Sequence, residues 1–351
     1  MSKNNPLIIF AAGGTWGHIA PALELEVAIK REHPSWRVIW LGRLPSKLVA
    51  GRKEYRLSLS SPYVGSMGKR ALSLMQLGWN SLYASFRCLR DSPDVVIGFG
   101  SYHAFPTLLA AYCLKIPYFL IESNILAGRV VRLFSKQAET TYLPFPPPSS
   151  LLSGSTKQVR FCAPSPSFSS KRKCLLIIGG SQGSHFLNSL MKRIAGDLHR
   201  HIPSLRFLHI TGKAEWVRPV EDLYLRLGID ADVLAFHERM EEVWPEVEFA
   251  LCRAGGRTLV ELIANHVPAL MFPLMTSSEG HQEANARYFV ETLRGGRMVR
   301  SASPCPSQVM QEIQDVWSKR DFHRRSLAQK NRYDLPDYCE DLMGAIQKKL
   351  S

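Results

Sequence analysis

Apolar and polar positions along the chain switch between two periods, and the switches predict its elements. Leu7, Ile8, Ile9 and Phe10 form a continuous apolar run, the pattern of a strand buried on both faces, and a helical period follows through Ile19, Leu23, Val27 and Lys30. Gly13, Gly14 and Gly17 occupy the join. Glycine admits backbone geometry and close approach that a side chain hinders, and a helix start leaves main-chain amides available, so such a turn suits a phosphate or a substrate oxygen. The spacing is GGxxG, which is neither the GxGxxG of dinucleotide folds nor a GK[ST] P-loop. The arrangement recurs at residues 174–194, with an apolar run, then Gly179, Gly180 and Gly183, then helical spacing at Phe186, Leu190 and Ile194. Two such openings predict two similar α/β units, each starting its own sheet, and favour a ligand cleft between them.

The same reading predicts further strands at 36–41, 94–99 and 118–121, with a short strand among exposed loops in 51–69. Ser101, Tyr102, Glu122 and Asn124 fall at carboxyl ends of these strands, where parallel folds bind ligands and where each can equally serve as a turn or cap. Residues 69–90 read as a helix with more than one apolar side, flanked by Lys69, Arg70, Arg87 and Arg90. Ordinary core packing and attachment to a bilayer surface both fit that pattern. A Pro/Ser-rich tract within 142–170 reads as the approach to a linker, giving units at 1–163 and 164–335 and a last helix at 336–351 that crosses back to the first.

In the second unit, strands are expected at 205–210, 233–236, 249–252 and 269–272, and a helix at 215–227. Asp230 and Asp232 have the spacing of a metal-binding pair but precede their strand, which favours a solvated turn. Gly255 and Gly256 permit a turn, Thr258 can cap the next helix, and Glu261 three residues on completes a capping box. The same spacing lets Thr258 meet a phosphate while Glu261 accepts hydrogen bonds from ribose hydroxyls. Gln282 and Asn285 share one side of a later helix, and His281 is either a site residue or a surface histidine.

Composition narrows the partners. The 351 residues, 45% hydrophobic, can supply two ordinary cores. The 44 Lys plus Arg against 30 Asp plus Glu leave +14, which favours a nucleotide, a nucleic acid or an anionic membrane. Nucleic acid is disfavoured because the basic residues are scattered and no RNP, zinc-finger or helix-turn-helix signature is present. Seven cysteines without a CxxC pair argue for a reducing compartment and against structural zinc. The opening MSKNNPLIIF is too short in apolar residues for a signal peptide, and no run is long enough to span a bilayer.

With GGTWGHIAPAL, GFGSYH and IESN in the first half and GGSQGS, CRAGGRTLVELI and HQEANA in the second, the chain resembles, over nearly its whole length, the bacterial peptidoglycan glycosyltransferases that form lipid II, its chlamydial branch in particular. The resemblance implies two Rossmann-like domains facing a cleft, the glycosyltransferase B type, bound peripherally to the cytoplasmic side of the cell inner membrane. It implies transfer of N-acetylglucosamine from UDP-N-acetylglucosamine to the C4 hydroxyl of lipid I with inversion, no cofactor and no bound metal. The implied partners are UDP-N-acetylglucosamine, lipid I, anionic inner-leaflet lipids and other cell-wall synthesis enzymes, and no nucleic acid. A transferase using a different acceptor, or a noncatalytic cell-wall scaffold, are the alternatives.

By position, the resemblance places Thr15, Trp16, Gly17 and Asn124 around the donor sugar, with the Trp16 indole close to the acceptor mouth, and Ser181 beside the pyrophosphate. Tyr102 is a binding candidate from its strand-end position near the first glycine turn. Phe236 and His237 fall where backbone holds uracil, and Gly256, Arg257, Thr258, Leu259, Val260 and Glu261 form the helix start for phosphate and ribose. Gln282 and Asn285 match the pair near the sugar hydroxyls. His18 matches the family's invariant histidine, either the base that takes the acceptor proton or a residue that fixes the loop, with Glu122 the second choice of base. The chain departs from the family pattern at Trp16 for a glycine, Ile121 and Ser123 within HEQN, and Ala254 for a serine. The arginine of the family's NPVR has no counterpart at Ala163, Pro164, Ser165 and Pro166, with Arg160 the nearest candidate.

Overall fold

The computed structural model describes residues 5–59, 67–146, 152–161, 174–180, 182–275, 280–330 and 335–351. The chain divides into two compact units, Met1–Phe161 with Asp334–Ser351, and Cys162–Tyr333. Each is a Rossmann-like parallel sheet with helices packed on it.

The first unit runs β1 (Leu7–Ala11), α1 (Trp16–Glu32), β2 (Arg37–Gly42), α2 (Ser46–Val49), β3 (Glu54–Arg56), α3 (Met67–Asp91), β4 (Val95–Gly98), α4 (Phe105–Cys113), β5 (Tyr118–Ile121), α5 (Arg129–Phe134), β6 (Thr141–Leu143) and β7 (Thr156–Gln158). Its strand order is β3-β2-β1-β4-β5-β6-β7, with Ile9 level with Ile39 on one side and Val96 on the other. Every residue of β1 is buried, as its unbroken apolar run requires of a central strand covered on both faces. Phe10 meets Trp40 and Phe99 edge-on at centroid distances of 5.3 and 5.2 Å, filling one face of the sheet.

Two helices turn differently from their sequence pattern. On α1 the buried side is Ile19, Ala22, Leu25, Glu26 and Ile29, while Val27 and Lys30 face out and Leu23 is half-buried. The reason is Glu26, which is 3% exposed. It accepts from Arg52 Nε at 2.6 Å and Trp40 Nε1 at 3.4 Å, and Lys30 Nζ lies 3.2 Å away, so a carboxylate takes the place of an apolar residue. On α3 the core-packing reading fails for most of the apolar residues. Leu72, Met75, Trp79, Leu82, Phe86 and Leu89 form an outward stripe with Trp79 73% exposed, while Ser73, Asn80, Ala84, Arg87 and Cys88 face in. The inward polar groups have partners: Asn80 pairs with the backbone of Ser58, and Arg87 meets Asp91 at 2.5 Å and covers the Tyr55 ring, although its Nε is enclosed without a hydrogen bond.

The second unit runs β8 (Cys174–Ile178), α6 (His185–His201), β9 (Arg206–Ile210), α7 (Val217–Arg226), β10 (Ala231–Leu234), α8 (Met240–Val243), β11 (Val247–Cys252), α9 (Gly256–Ala264), β12 (Ala269–Met271), α10 (His281–Arg287), β13 (Gly296–Met298), α11 (Pro306–Ser318) and α12 (Arg320–Lys330), with strand order β10-β9-β8-β11-β12-β13. β10 starts two residues before the pattern places it, so Asp232 is a strand residue rather than part of a turn, ion-paired to Arg206. Among the described residues no group of three His, Cys, Asp or Glu side chains is placed to hold a metal. No described helix is long and apolar enough to cross a membrane.

The last helix, α13 (Tyr338–Leu350), belongs to the first unit and packs on α1. Asp337 caps it, accepting from Cys339 N at 2.9 Å, and Tyr338 stacks on Phe161 while its hydroxyl donates to Pro21 O.

Arg52 makes the shorter of the two ion pairs to the buried Glu26 carboxylate, 2.6 Å against 3.2 Å for Lys30. Arg52→Met should destabilise the first unit by about 3 kcal/mol, because one partner of a buried pair leaves the other uncompensated, whereas adding Glu26→Met should recover most of the loss. Urea unfolding of the two variants and the parent checks this.

Candidate functional site

In the first unit, the turn after β1 is crowded by backbone. A Cβ on Gly13 would stand 3.0 Å from Arg43 N, and Gly14 has φ +89°, so both glycines are needed where they are. Gly17 is different: it sits in α1 with only Thr15 Oγ1 within 4 Å of where a Cβ would go, so it keeps space open and is not required by the fold. Thr15 precedes the helix in an extended conformation and makes no side-chain cap.

Pro21 has no N–H to give to the carbonyl one turn earlier, that of Gly17. Ser123 Oγ, from the end of β5, donates to that carbonyl at 3.3 Å. A serine in the second strand-end loop thus supplies the bond that a proline in the first helix removes.

His18 and a second histidine lock the two loops together. The His18 ring lies against Gly100, where a Cβ would stand 3.2 Å from Nδ1, and the His103 ring lies against Gly14, where a Cβ would stand 3.3 Å from its Nδ1. Each loop's histidine therefore rests on the other loop's glycine. His103 is pushed down to about 4, by burial first and then by Arg43 and His18, and its Nε2 is enclosed without a hydrogen-bond partner. It was not singled out from the sequence. The available signal was that GFGSYH places a histidine after a glycine turn as GGTWGH does.

Glu122, the second choice of base, has another task. It is 1% exposed. Its Oε1 accepts from Asn124 N and Nδ2, both at 2.9 Å, and its Oε2 from Gly128 N at 2.8 Å. A carboxylate so enclosed organises the loop after β5 and holds Asn124, and it has no approach to a substrate proton. Tyr102 lies in a 3-10 turn before α4 and packs partly against the core.

In the second unit, Gly183 has φ +72° and a Cβ there would run into the Thr211 carbonyl, while one on Gly179 would meet Ser184 N. Ser184 caps α6, its Oγ accepting from Leu187 N at 3.2 Å. Arg253, at the end of β11, donates through Nε to Ser184 Oγ at 3.1 Å and through Nη1 to Phe272 O at 2.8 Å, joining three strand ends. Burial lowers its guanidinium below the usual range. Neither Ser184 nor Arg253 was among the residues singled out, and the position of an arginine immediately after a buried strand was the only hint. Ser181 lies outside the described residues, as do residues 163–166 of the NPVR position.

Gly255, not Thr258, occupies the cap position of α9, and Thr258 is buried in the first turn, so the capping box does not form. Leu259 and Val260 are core side chains and can offer a ligand only backbone. Glu261, 7% exposed, accepts from Arg257 Nε at 2.7 Å. Burial pushes its carboxyl up; the Arg257 charge and hydrogen bond oppose this, Glu241 adds to it, and Trp244 opposes it weakly.

Gln282 and Asn285 share a side of α10 but not an environment. Gln282 is half-buried and its Oε1 accepts from Leu274 N at 2.9 Å, whereas Asn285 is fully buried and donates to Ala254 O at 3.0 Å, tying α10 to the loop before α9. Phe236 is exposed, and His237 and His281 are half-buried. Arg160 hydrogen-bonds through its backbone to Pro336 and Tyr338 in the first unit.

The glycosyltransferase family 28 N-terminal domain matches residues 8–143, and the family 28 C-terminal domain matches residues 174–337. The chain is 33% identical over 354 residues to the UDP-N-acetylglucosamine–N-acetylmuramyl-(pentapeptide) pyrophosphoryl-undecaprenol N-acetylglucosamine transferase of Chlamydia pneumoniae, covering 97% of this chain and 96% of that one. The enzyme of the same description from Chlamydia muridarum is 31% identical over 321 residues, covering 85% and 86%. Among solved structures, Acinetobacter baumannii MurG superposes with a TM-score of 0.76 at 24% identity over 98% of this chain and 99% of that one, a likeness of fold.

A histidine held at about 4 against an ordinary 6.5 takes up its proton only after unfolding, so stability present above pH 6.5 is lost as pH falls toward 4. His209, buried between Tyr224 and Asn188 and pushed down to about 3, acts in the same direction in the second unit. His103→Gln should remove up to roughly 2 kcal/mol of the stability lost by the first unit between pH 6.5 and 5. Urea midpoints of parent and variant measured across that range test it: the variant's should fall less steeply.

Proposed function

The chain belongs to the UDP-N-acetylglucosamine–N-acetylmuramyl-(pentapeptide) pyrophosphoryl-undecaprenol N-acetylglucosamine transferases of glycosyltransferase family 28, and from that membership we infer that it converts lipid I to lipid II. The C1–O bond to UDP breaks, a bond from C1 to the C4 oxygen of the acceptor forms with inversion, and the hydroxyl proton passes to the protein. The observation that carries the reading is the pair of glycine turns, each at the carboxyl end of the central strand where its sheet changes direction.

Roles for the residues follow from their surroundings. His18 is the base: it is half-buried in the first turn of α1, beside a histidine kept neutral, whereas Glu122 is consumed by its loop. Thr15, Trp16, Gly17 and Asn124 surround the donor sugar, with the Trp16 indole near the acceptor, and Tyr102 is a further binding residue at a neighbouring strand end. On the donor side, Glu261 accepts the ribose hydroxyls, backbone at Phe236 and His237 meets uracil, and Ser181, Thr258 and the amides at the start of α9 meet the pyrophosphate. Those donors, with the positive end of the helix, stabilise the departing UDP without a metal. Gln282 meets the sugar hydroxyls, and Asn285 acts by holding α10 in place.

Attachment is peripheral, to the cytoplasmic face of the inner membrane. The outward stripe of α3 with exposed Lys69, Arg70 and Arg90 supports this, since aromatic side chains and cations together bind the headgroup layer of anionic lipids. Arg87 is not part of that face, because it is buried against Asp91 and Tyr55.

Purified protein given UDP-N-acetylglucosamine and a lipid I analogue should release UDP and form the disaccharide. His18→Gln should lower kcat by about 100-fold or more with little change in UDP affinity, and should lose the acidic limb of the pH–rate profile. Retention of both the limb and most of kcat would give His18 a structural role.

Sedimentation with vesicles containing phosphatidylglycerol should fall with rising salt. Reversing Lys69, Arg70 and Arg90 to glutamate should abolish it at low salt, and equal sedimentation of variant and parent would rule out this face.

A further inference from the structure

Glu261 occupies an unusual position for a group meant to accept hydrogen bonds from a ligand. It lies in α9, with 7% of its surface accessible, and burial favours its protonated form. A carboxylate accepts through both oxygens, whereas a carboxylic acid must spend one of them as a donor. The ribose hydroxyls need the charged form to make the shorter, stronger bonds that a charged acceptor allows. Something in the protein has to keep this carboxyl ionised and aimed.

Among the described residues, Arg257 is a cation placed where that can happen. Arg257 precedes Glu261 by one helical turn, its Nε is 2.7 Å from Oε1, and only 20% of its side chain is exposed, so the pair is shielded from the solvent that weakens surface ion pairs. Glu241 from α8 repels the carboxylate, and the neutral Trp244 indole helps only weakly. α10 also packs on α9 and carries His281 and Glu283, of which Glu283 is ion-paired to Arg287. Arg257 therefore stands against burial and Glu241 together.

We propose that Arg257 is a positioning residue of the donor site: it holds Glu261 as an oriented carboxylate for the ribose hydroxyls and does not itself grip the diphosphate. The inference rests on the assignment of Glu261 to ribose. It makes recognition of the nucleoside depend on an ion pair inside one helix, and it separates two jobs that an arginine at a helix start could do. A guanidinium bound to the diphosphate would matter for UDP and not for uridine. A guanidinium that acts through Glu261 matters equally for both.

The test is calorimetric titration of UDP and of uridine into the full-length protein between pH 6 and 9, for the parent, Arg257→Met, Arg257→Lys, Glu261→Gln and the Arg257→Met/Glu261→Gln double variant. Arg257→Met should weaken UDP and uridine by the same factor, about tenfold at pH 6.5, with affinity recovering as pH rises and Glu261 ionises unaided. Arg257→Lys should restore binding near neutrality. Glu261→Gln should weaken both ligands at every pH, and removing Arg257 from that background should cost nothing more. A loss for Arg257→Met that is flat with pH, or present for UDP and absent for uridine, overturns the proposal while leaving Glu261 in place. If Glu261→Gln binds UDP as the parent does, the ribose assignment itself has failed. Unchanged far-ultraviolet circular dichroism and thermal midpoint in Arg257→Lys keep a folding defect from mimicking the result.

Discussion

Close approach of backbone to backbone at the carboxyl ends of parallel strands is the constraint on which both units depend. A Cβ on Gly42 would collide with the Ala12 carbonyl, and one on Gly183 with that of Thr211. Each glycine lets one chain segment pass over a neighbour without spreading the strands. The helices that follow then start directly at the sheet edge, and side chains from separate loops come within contact. His18 over Gly100 and His103 over Gly14 exist only because the loops are this compressed. The chemistry assigned to the first unit is thus a consequence of where side chains are missing.

Three buried carboxylates show how differently one functional group can be used. Glu26 is held by Arg52, Trp40 and Lys30 and substitutes for an apolar residue between α1 and the sheet. Glu122 is enclosed by three N–H donors and shapes a loop. Glu261 is held by the Arg257 guanidinium, with weak help from Trp244, against burial and a nearby glutamate. The count and kind of donors around each oxygen, not the residue type, separate a structural acid from one available to a ligand.

The helix α3 inverts the usual relation between apolarity and burial. Its apolar residues recur at spacings of three and four through Leu72, Met75, Trp79, Leu82, Phe86 and Leu89, a pattern that ordinarily marks the inward face. Here the inward face is made of small and polar groups with partners waiting for them: Asn80 completes the backbone of Ser58, and Arg87 has both Asp91 and the Tyr55 ring. With those interactions satisfied inside, the apolar stripe is left for a partner outside the protein.

The sequence by itself determined the central strands and the glycine turns, but not the short strands β6, β7 and β13, of which β7 lies in the Pro/Ser-rich tract read as the approach to a linker. Continuous apolar runs at 7–10, 118–121 and 174–178 can be accommodated only in the middle of a covered sheet, and glycine is the one residue for which the turn geometry at Gly14 and Gly183 carries no steric cost. The order of these pieces was enough to name the family. Only the tertiary structure decided which face of α1 and α3 turns inward, that Asp232 belongs to a strand, that Thr258 caps nothing, and that Leu259, Val260 and Asn285 are enclosed. The physical reason is common to all of these. Periodicity reports that a helix has sides, but the side that is buried depends on whether its polar groups find partners, and those partners lie far along the chain: Arg52 for Glu26, Ser58 for Asn80, Ala254 for Asn285.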